Sequence, residues 1–277
     1  MQDRDLSSAA LLDELTGIVS RAAAIILAVR KDALGTRTKA DLTPVTAADE
    51  ASEALILEGL ARALPGVPVV SEEAVLRTPP GSLDGSFVLV DPVDGTRELA
   101  AGRDEFSVNL AIVTGGRPRL GIIAAPAYGL LWRTVATGGA ERLRLAPGSP
   151  ATAAAERSTI RTRAWPPAGI VAAVSRSHLD AQTETFLAGL PPAGRMASGS
   201  AVKFCRVAEG AADIYPRLAP VSQWDVAAGD AIIAAAGGLV TTPAGDALPY
   251  GRTATGFLVP GFIAWGDRSA AARLGRR

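Results

Sequence analysis

Two aspartates close a short apolar run in Phe87-Val-Leu-Val-Asp91-Pro-Val-Asp94-Gly-Thr96. The run follows a turn-forming Asp84-Gly85-Ser86 and reads as a buried strand that delivers both carboxylates to one tip. Two anions so placed repel each other unless something positive sits between them. An oxygen-only ligand set suits magnesium, which binds through a few carboxylates, waters and substrate phosphate oxygens. Gly95 lets backbone N–H groups approach a phosphate closely, and the Thr96 hydroxyl can hold a water. Asp, Pro and Gly are also ordinary turn residues, so the plainer reading is an acidic β-turn, but the ligand preferences favour the metal-binding one.

Three further acids bear on that choice. Val69-Val-Ser-Glu72-Glu73 is a second apolar run ending in acids, and Trp224-Asp225 heads an alanine-rich helical stretch. Asp49 follows Thr46 by three residues, so with Thr46 as N-cap it occupies the third helical position, where a carboxylate completes a capping box and favours the helix dipole. Acids at strand ends and helix starts together describe a multi-metal phosphatase better than four independent surface turns.

The set T-x-x-D, S-E-E, D-P-V-D-G-T and W-D-x-A-A-G, in this order, resembles the lithium-sensitive, magnesium-dependent phosphomonoesterases that include inositol monophosphatase. The resemblance covers almost the whole chain. Lys39 to Asp49, Ser175-Arg-Ser-His178, Gly199-Ser-Ala-Val-Lys203-Phe204 and Ile214-Tyr-Pro-Arg217 are similar to its bacterial branch of 3'(2'),5'-bisphosphate nucleotidases. That likeness implies a layered α-β-α-β-α sandwich and hydrolysis of adenosine 3',5'-bisphosphate to AMP and phosphate, with 3'-phosphoadenylyl sulfate as a further substrate. It implies that Glu72, Asp91, the carbonyl of Val93, Asp94 and Asp225 hold two Mg2+ ions, with Asp49 near a third. Thr96 with either Asp49 or Glu72 would orient and deprotonate the attacking water, and the Gly95 and Thr96 amides would hold the phosphate, with Val93 and Asp225 beside it.

The same resemblance gives Ser198, Ser200, Lys203 and Arg217 to a second phosphate and the sugar, and His178 to the base. Each has a plainer role: Ser-Gly-Ser commonly starts a helix, and an Arg after Tyr-Pro can be a surface charge. Ala201 stands where many relatives carry a second Ser, so one hydroxyl contact is absent. An inositol or sugar monophosphatase is the rival enzyme, and a catalytically dead phosphate-binding module the rival of another class. The dead module would have lost at least one metal acid, and all are present.

Composition sets the outer bounds. The chain has 277 residues, 48% hydrophobic, ample for a sizeable core. Its 28 basic and 28 acidic residues balance, which leaves no electrostatic footprint for a nucleic-acid polymer. The single cysteine, Cys205, excludes an intramolecular disulfide and reads as a small buried hydrophobe, and the single histidine excludes a His-rich metal site. His178 lacks the G-x-S-x-G elbow that would accompany a serine hydrolase of the α/β type. Acidic Asp3, Asp5, Asp13 and Glu14 replace the basic start of a signal peptide, and no uncharged apolar run is long enough to span a bilayer. The expected location is the cytoplasm. Peripheral contact with the inner membrane, and a monomeric or homodimeric state, stay open.

The elements that must position these residues follow from periodicity. Apolar residues from Leu11 to Val29 recur at helical spacing, and a Thr46-capped helix is expected to run to about Leu64, stopped by Pro65-Gly66. Residues 105–114, 120–125 and 130–136 read as a β-meander turned at Gly115-Gly116. The expected organisation is an α+β half over residues 1–145 and an α/β half over residues 146–277, in one compact unit, with 146–167 as a linker. The second half alternates strand 170–174, helices 179–190 and 201–209, strand 213–215, helix 225–236 and strand 239–242.

Overall fold

A computed structural model describes residues 8–32, 37–38, 44–75, 83, 85–177, 179–191, 193–253 and 256–274. Helix α1 (Ala9–Asp32) buries Leu11, Leu15, Ile18, Val19, Ala22 and Ile26 along one stripe. A two-residue antiparallel pair, β1 (Arg37–Thr38) with β2 (Pro44–Val45), leads into α2 (Ala47–Ala63). Strand β3 (Val69–Ser71) passes directly into a single turn, α3 (Glu72–Val75), and β4 (Ser86–Asp94) into the short α4 (Thr96–Ala100).

The meander continues as β5 (Ser107–Thr114), β6 (Arg117–Ala125), β7 (Leu130–Thr134), β8 (Ala140–Arg144) and β9 (Glu156–Ile160). These strands form one seven-stranded sheet in the order β3 to β9, parallel only between β3 and β4. Strand β9 corrects the linker reading of 146–167. It pairs antiparallel with β8 from Glu156 against Arg144 to Ile160 against Ala140. Its Glu-Arg-Ser-Thr sequence looks like loop because an edge strand needs little apolar surface.

The remainder is β10 (Ile170–Ser175), α5 (Ala181–Ala188), β11 (Ala193–Ser198), α6 (Val202–Ala208), β12 (Ile214–Arg217), β13 (Val221–Ser222), α7 (Gln223–Ala236), β14 (Leu239–Thr241), β15 (Leu258–Val259), β16 (Phe262–Trp265) and α8 (Arg268–Leu274). A five-stranded sheet runs β11-β10-β12-β16-β14, while β13 pairs with β15. The expected α/β layer is thus mixed: β10 is parallel to both neighbours, and β16 is antiparallel to both of its own.

Three apolar clusters define the layers. Val88 and Val90 of β4 face α1 and α2, whereas Phe87 and Leu89 face Val226, Ile232 and Ile233 of α7 and Phe204 of α6. Strand β4 is buried on both faces, which is why its sequence is a continuous apolar run rather than an alternating one. On the far side of α6 and α7, Tyr215, Phe262 and Ala264 bring in the second sheet, whose outer face carries Ile170, Ile214 and Trp265 against α5 and α8. The result is the layered α-β-α-β-α sandwich. Close approach of the middle layer requires Gly229, where an added Cβ would stand 2.2 Å from the Phe204 ring.

Candidate active site

Three elements meet at the C-terminal end of β4. Thr46 caps α2 with an extended backbone, its hydroxyl oxygen accepting from the Ala48 N–H at 3.2 Å. The Thr46 N–H and hydroxyl both donate to Asp49 Oδ2, at 2.8 and 2.6 Å. The other oxygen, Asp49 Oδ1, lies 3.0 Å from the Thr96 hydroxyl, which is also 2.9 Å from the Val93 carbonyl. Capping and the site are therefore served by the two oxygens of one buried carboxylate.

In a regular strand, residues three apart point to opposite faces, so Asp91 and Asp94 would diverge. They do not, because the β4–β5 register shifts between them: Asp91 faces Asn109 but Asp94 faces Ser107, three residues against two. This is a bulge, placed where Pro92 has no N–H to give a neighbouring strand. The Val93 N–H turns back to Asp91 Oδ1 at 3.0 Å, and the Ser52 hydroxyl of α2 holds the Pro92 carbonyl at 3.0 Å. Gly95 then takes φ +90, and a Cβ there would press to 2.9 Å from the Glu105 carbonyl oxygen.

Glu72 at the start of α3 and Asp225 in the first turn of α7 complete the acids on the wall of a cavity of about 290 Å3, with Asp91, Val93, Asp94, Gly95 and Thr96. Asp91 has its pKa raised well above the usual range by burial and then by the charges of Glu72, Asp94, Asp225 and Asp49. Asp225 is raised by burial, Asp94 and Glu72. Burial also raises Asp94, against the opposing pull of Lys203, Asn109 and Arg217.

Among the described residues no three such acids close around one point as a finished ion cage. Yet Glu72, Asp94, Asp225 and Asp49 impose their charges on Asp91, and Asp94 and Glu72 theirs on Asp225, at one all-oxygen pole of the cavity. That donor set fits divalent cations of the hard class, which would relieve the repulsion.

The opposite wall is cationic. Ser200, at φ +49, follows Gly199 and starts the turn into α6, with its Oγ 3.4 Å from the Val202 N–H. Arg217 ends β12 on the cavity wall, and its Nε is buried with no hydrogen-bond acceptor among the described residues. Lys203 also lines the cavity, but it is only 3% exposed and its ammonium is engaged. It donates to the Ser200 carbonyl at 2.5 Å and the Ser198 carbonyl at 3.3 Å. Burial brings its pKa down to about 8, against the opposing pull of Asp94. The lysine expected to reach for substrate thus braces the loop that carries both serines.

Ser198 ends β11 with its hydroxyl donating to the Gly199 carbonyl at 3.2 Å, off the cavity wall. Asp49 stands behind Thr96 rather than on the wall itself. His178 and Lys39 lie outside the described residues. Cys205 is fully buried on α6, and burial pushes its thiol up.

Several supporting residues escaped the sequence reading. Glu105 takes a two-pronged ion pair from Arg176, both contacts 2.7 Å, and accepts the Gly199 N–H at 3.1 Å, so it ties the α4–β5 connection to the serine loop. Ser52 and Glu53 lie three and four residues past Asp49 on the same face of α2. That helical spacing was their only signal.

A layered sandwich with acids gathered at the end of a bulged strand is the architecture of a phosphatase family. Residues 9–272 match the inositol monophosphatase family, and the chain belongs to it. Within the family it is similar to the 3'(2'),5'-bisphosphate nucleotidase CysQ of Escherichia coli O157:H7, at 38% identity over 258 residues, 91% of this chain and 98% of that protein. The crystal structure of CysQ from Bacteroides thetaiotaomicron matches it with a TM-score of 0.78 and 31% identity, covering 94% of this chain and 98% of that one. A histidinol-phosphatase of Mycobacterium tuberculosis is 34% identical over 237 residues, 82% of this chain and 85% of that protein.

Proposed function

We propose that this chain is a magnesium-dependent 3'(2'),5'-bisphosphate nucleotidase that converts adenosine 3',5'-bisphosphate to AMP and phosphate, and also accepts 3'-phosphoadenylyl sulfate. One observation carries the reading: a single cavity joins a pole of four acids, Glu72, Asp91, Asp94 and Asp225, to a facing pole of Arg217 and Ser200. A substrate with two phosphates presents one to each pole. Identity of 38% with a nucleotidase, over 91% of this chain and 98% of that protein, supports the same choice.

Two to three Mg2+ ions, held by Glu72, Asp91, the Val93 carbonyl, Asp94 and Asp225 with Asp49 nearby, would neutralise the reacting phosphate and acidify the attacking water. The chain's own groups do the rest. Thr96 has one hydroxyl proton and two acceptors near it, Asp49 Oδ1 and the Val93 carbonyl. With that proton directed to Asp49, a lone pair of the Thr96 oxygen is available to a water proton. This favours Asp49 over Glu72 as the acid behind the water. The first intrahelical donor of α4 is the Leu99 N–H, bonded to the Gly95 carbonyl at 2.9 Å, so the Gly95 and Thr96 amides ahead of it would serve phosphate oxygens. Attack in line breaks the bond between phosphorus and the 3'-oxygen, which takes up a proton as it leaves. Arg217, Ser200 and, at the base, His178 hold the nucleotide; Ser198 shapes the loop beside them.

No helix among the described residues is long and apolar enough to cross a membrane. We place the enzyme in the cytoplasm, in the turnover of sulfate-donor nucleotides. Hydrolysis of adenosine 3',5'-bisphosphate, myo-inositol 1-phosphate and histidinol phosphate should be measured side by side with Mg2+. The bisphosphate is expected to give a kcat/KM at least tenfold above either monophosphate. A preference for a monophosphate would replace the reading with the rival one.

A further inference from the structure

Glu53 is a buried carboxylate that the proposed chemistry does not use. Its Oε1 accepts three hydrogen bonds, from the Ser71 hydroxyl at 2.5 Å, the Glu73 N–H at 3.1 Å and the Ala74 N–H at 3.0 Å. All three donors belong to the corner where β3 becomes α3, and Glu72 sits between them. The next residue on α2, Ser52, holds the Pro92 carbonyl at the β4 bulge, and Asp49 holds Thr96. One helix face therefore fixes three separate pieces of the cavity, and Glu53 is the part that fixes the Glu72 corner.

The corner is built from short elements. Strand β3 is three residues long and meets the sheet only through β4, at its edge. Helix α3 is a single turn. Glu72 must nonetheless come close enough to Asp91 and Asp225 to impose its charge on both.

We infer that Glu53 is a positioning residue: by gathering the Ser71, Glu73 and Ala74 donors on one oxygen, it aims Glu72 into the cavity and so sets the affinity of the acid cluster for a divalent cation. The inference rests on the reading of that cluster as a cation site. Removing partners that orient a ligand typically weakens metal binding by about 10- to 100-fold.

The test is direct titration of the full chain with Mn2+, following the free ion by electron paramagnetic resonance, alongside melting temperature in chelator. Glu53→Gln keeps an amide oxygen for the three donors and is expected to bind Mn2+ within about threefold of wild type. Glu53→Ala should weaken binding by about tenfold or more. Ser71→Ala removes one donor of the three, and a smaller loss in the same direction is expected; it serves if Glu53→Ala does not fold. Ile56→Val, a buried change on the same helix away from the corner, should lower the melting temperature without moving Mn2+ affinity.

Wild-type affinity in Glu53→Ala, or in Ser71→Ala should Glu53→Ala not fold, would overturn the role of Glu53 and leave the cation site standing. An equal loss in Ile56→Val would do the same, since it would reduce the effect to general destabilisation. Absence of Mn2+ binding by wild type itself would overturn both the inference and the reading beneath it.

Discussion

The Thr96 hydroxyl lies 3.0 Å from Asp49 Oδ1, which joins the start of α4 to the first turn of α2 across 47 residues of sequence. Asp49 is fixed at its other oxygen by two donors of Thr46, so its orientation does not depend on Thr96. A proton leaving Thr96 toward Asp49 thus meets an acceptor already in place.

Thr96→Val should therefore lower kcat by about 10²- to 10⁴-fold, the usual range for a lost proton-transfer group, with KM little changed. Thr96→Ser keeps the oxygen and should retain most of the rate. Comparable activity in Thr96→Val and wild type would remove the hydroxyl from the proton path.

Asp94 lies past the bulge, facing the cationic wall as well as the other acids. Asp94→Asn is expected to leave the melting temperature in chelator unchanged or slightly raised, because it relieves repulsion at Asp91 and Asp225. Activity should fall by at least 100-fold, since the cluster loses a charge that neutralises a cation. Chelation should silence the wild type, and excess calcium should inhibit it, because calcium takes longer and more numerous contacts than magnesium. Lithium inhibition is expected from the family resemblance. Full turnover in chelator would refute the cation site, as would an unimpaired Asp94→Asn.

The sequence showed the acids but not how they meet. The repeated apolar-then-acidic pattern of β3 and β4 and the Thr46–Asp49 spacing located the cluster, because each depends on neighbours within four residues. The bulge that turns Asp91 and Asp94 to one side depends on the partner strand, and nothing in Asp-Pro-Val-Asp distinguishes it from a turn. Strand β11, Ala-Gly-Arg-Met-Ala-Ser, lacks β-branched residues and exists because all six residues align with β10. Strand β16 is four residues long, too short for periodicity, and is fixed by β12 and β14 on either side. Glu53 has the same origin: its role is set by the corner it meets, 18 to 21 residues away.

Lys203 is the residue whose expected role changes most. Read as a cleft cation, its loss should have raised KM for the bisphosphate alone. Bound to the Ser198 and Ser200 carbonyls, it supports the loop for every substrate. Lys203→Met should therefore lower kcat/KM for bisphosphate and monophosphate substrates by similar factors. The Ser200 carbonyl left without this donor costs about 1–3 kcal/mol, while the Ser198 carbonyl keeps the Arg176 N–H at 3.2 Å. The melting temperature should fall by about 2–4 °C per kcal/mol for a chain of this size. A selective rise in KM for the bisphosphate, with stability unchanged, would restore the simpler role.

Asp230 offers a test of stability away from the reacting groups. It lies on α7 five residues beyond Asp225 and accepts the Tyr250 hydroxyl at 3.0 Å. Burial pushes its pKa from 3.8 up to about 7, against the opposing effects of the Tyr250 hydrogen bond and Arg117. Because the folded state holds this proton more tightly than the unfolded chain, the stability linked to it is fully present below the unfolded value near 3.8. It is lost as pH rises toward about 7, and above that the charged carboxylate is carried at a cost. Asp230→Asn keeps an acceptor for Tyr250 and cannot ionise. Its melting temperature in chelator, relative to wild type, should accordingly rise between about pH 4 and about pH 7 and level off above, with the difference approaching zero only as pH falls to 3.8. A difference that stays constant across this range would mean that Asp230 is charged at all of these values and that its burial has not shifted its titration.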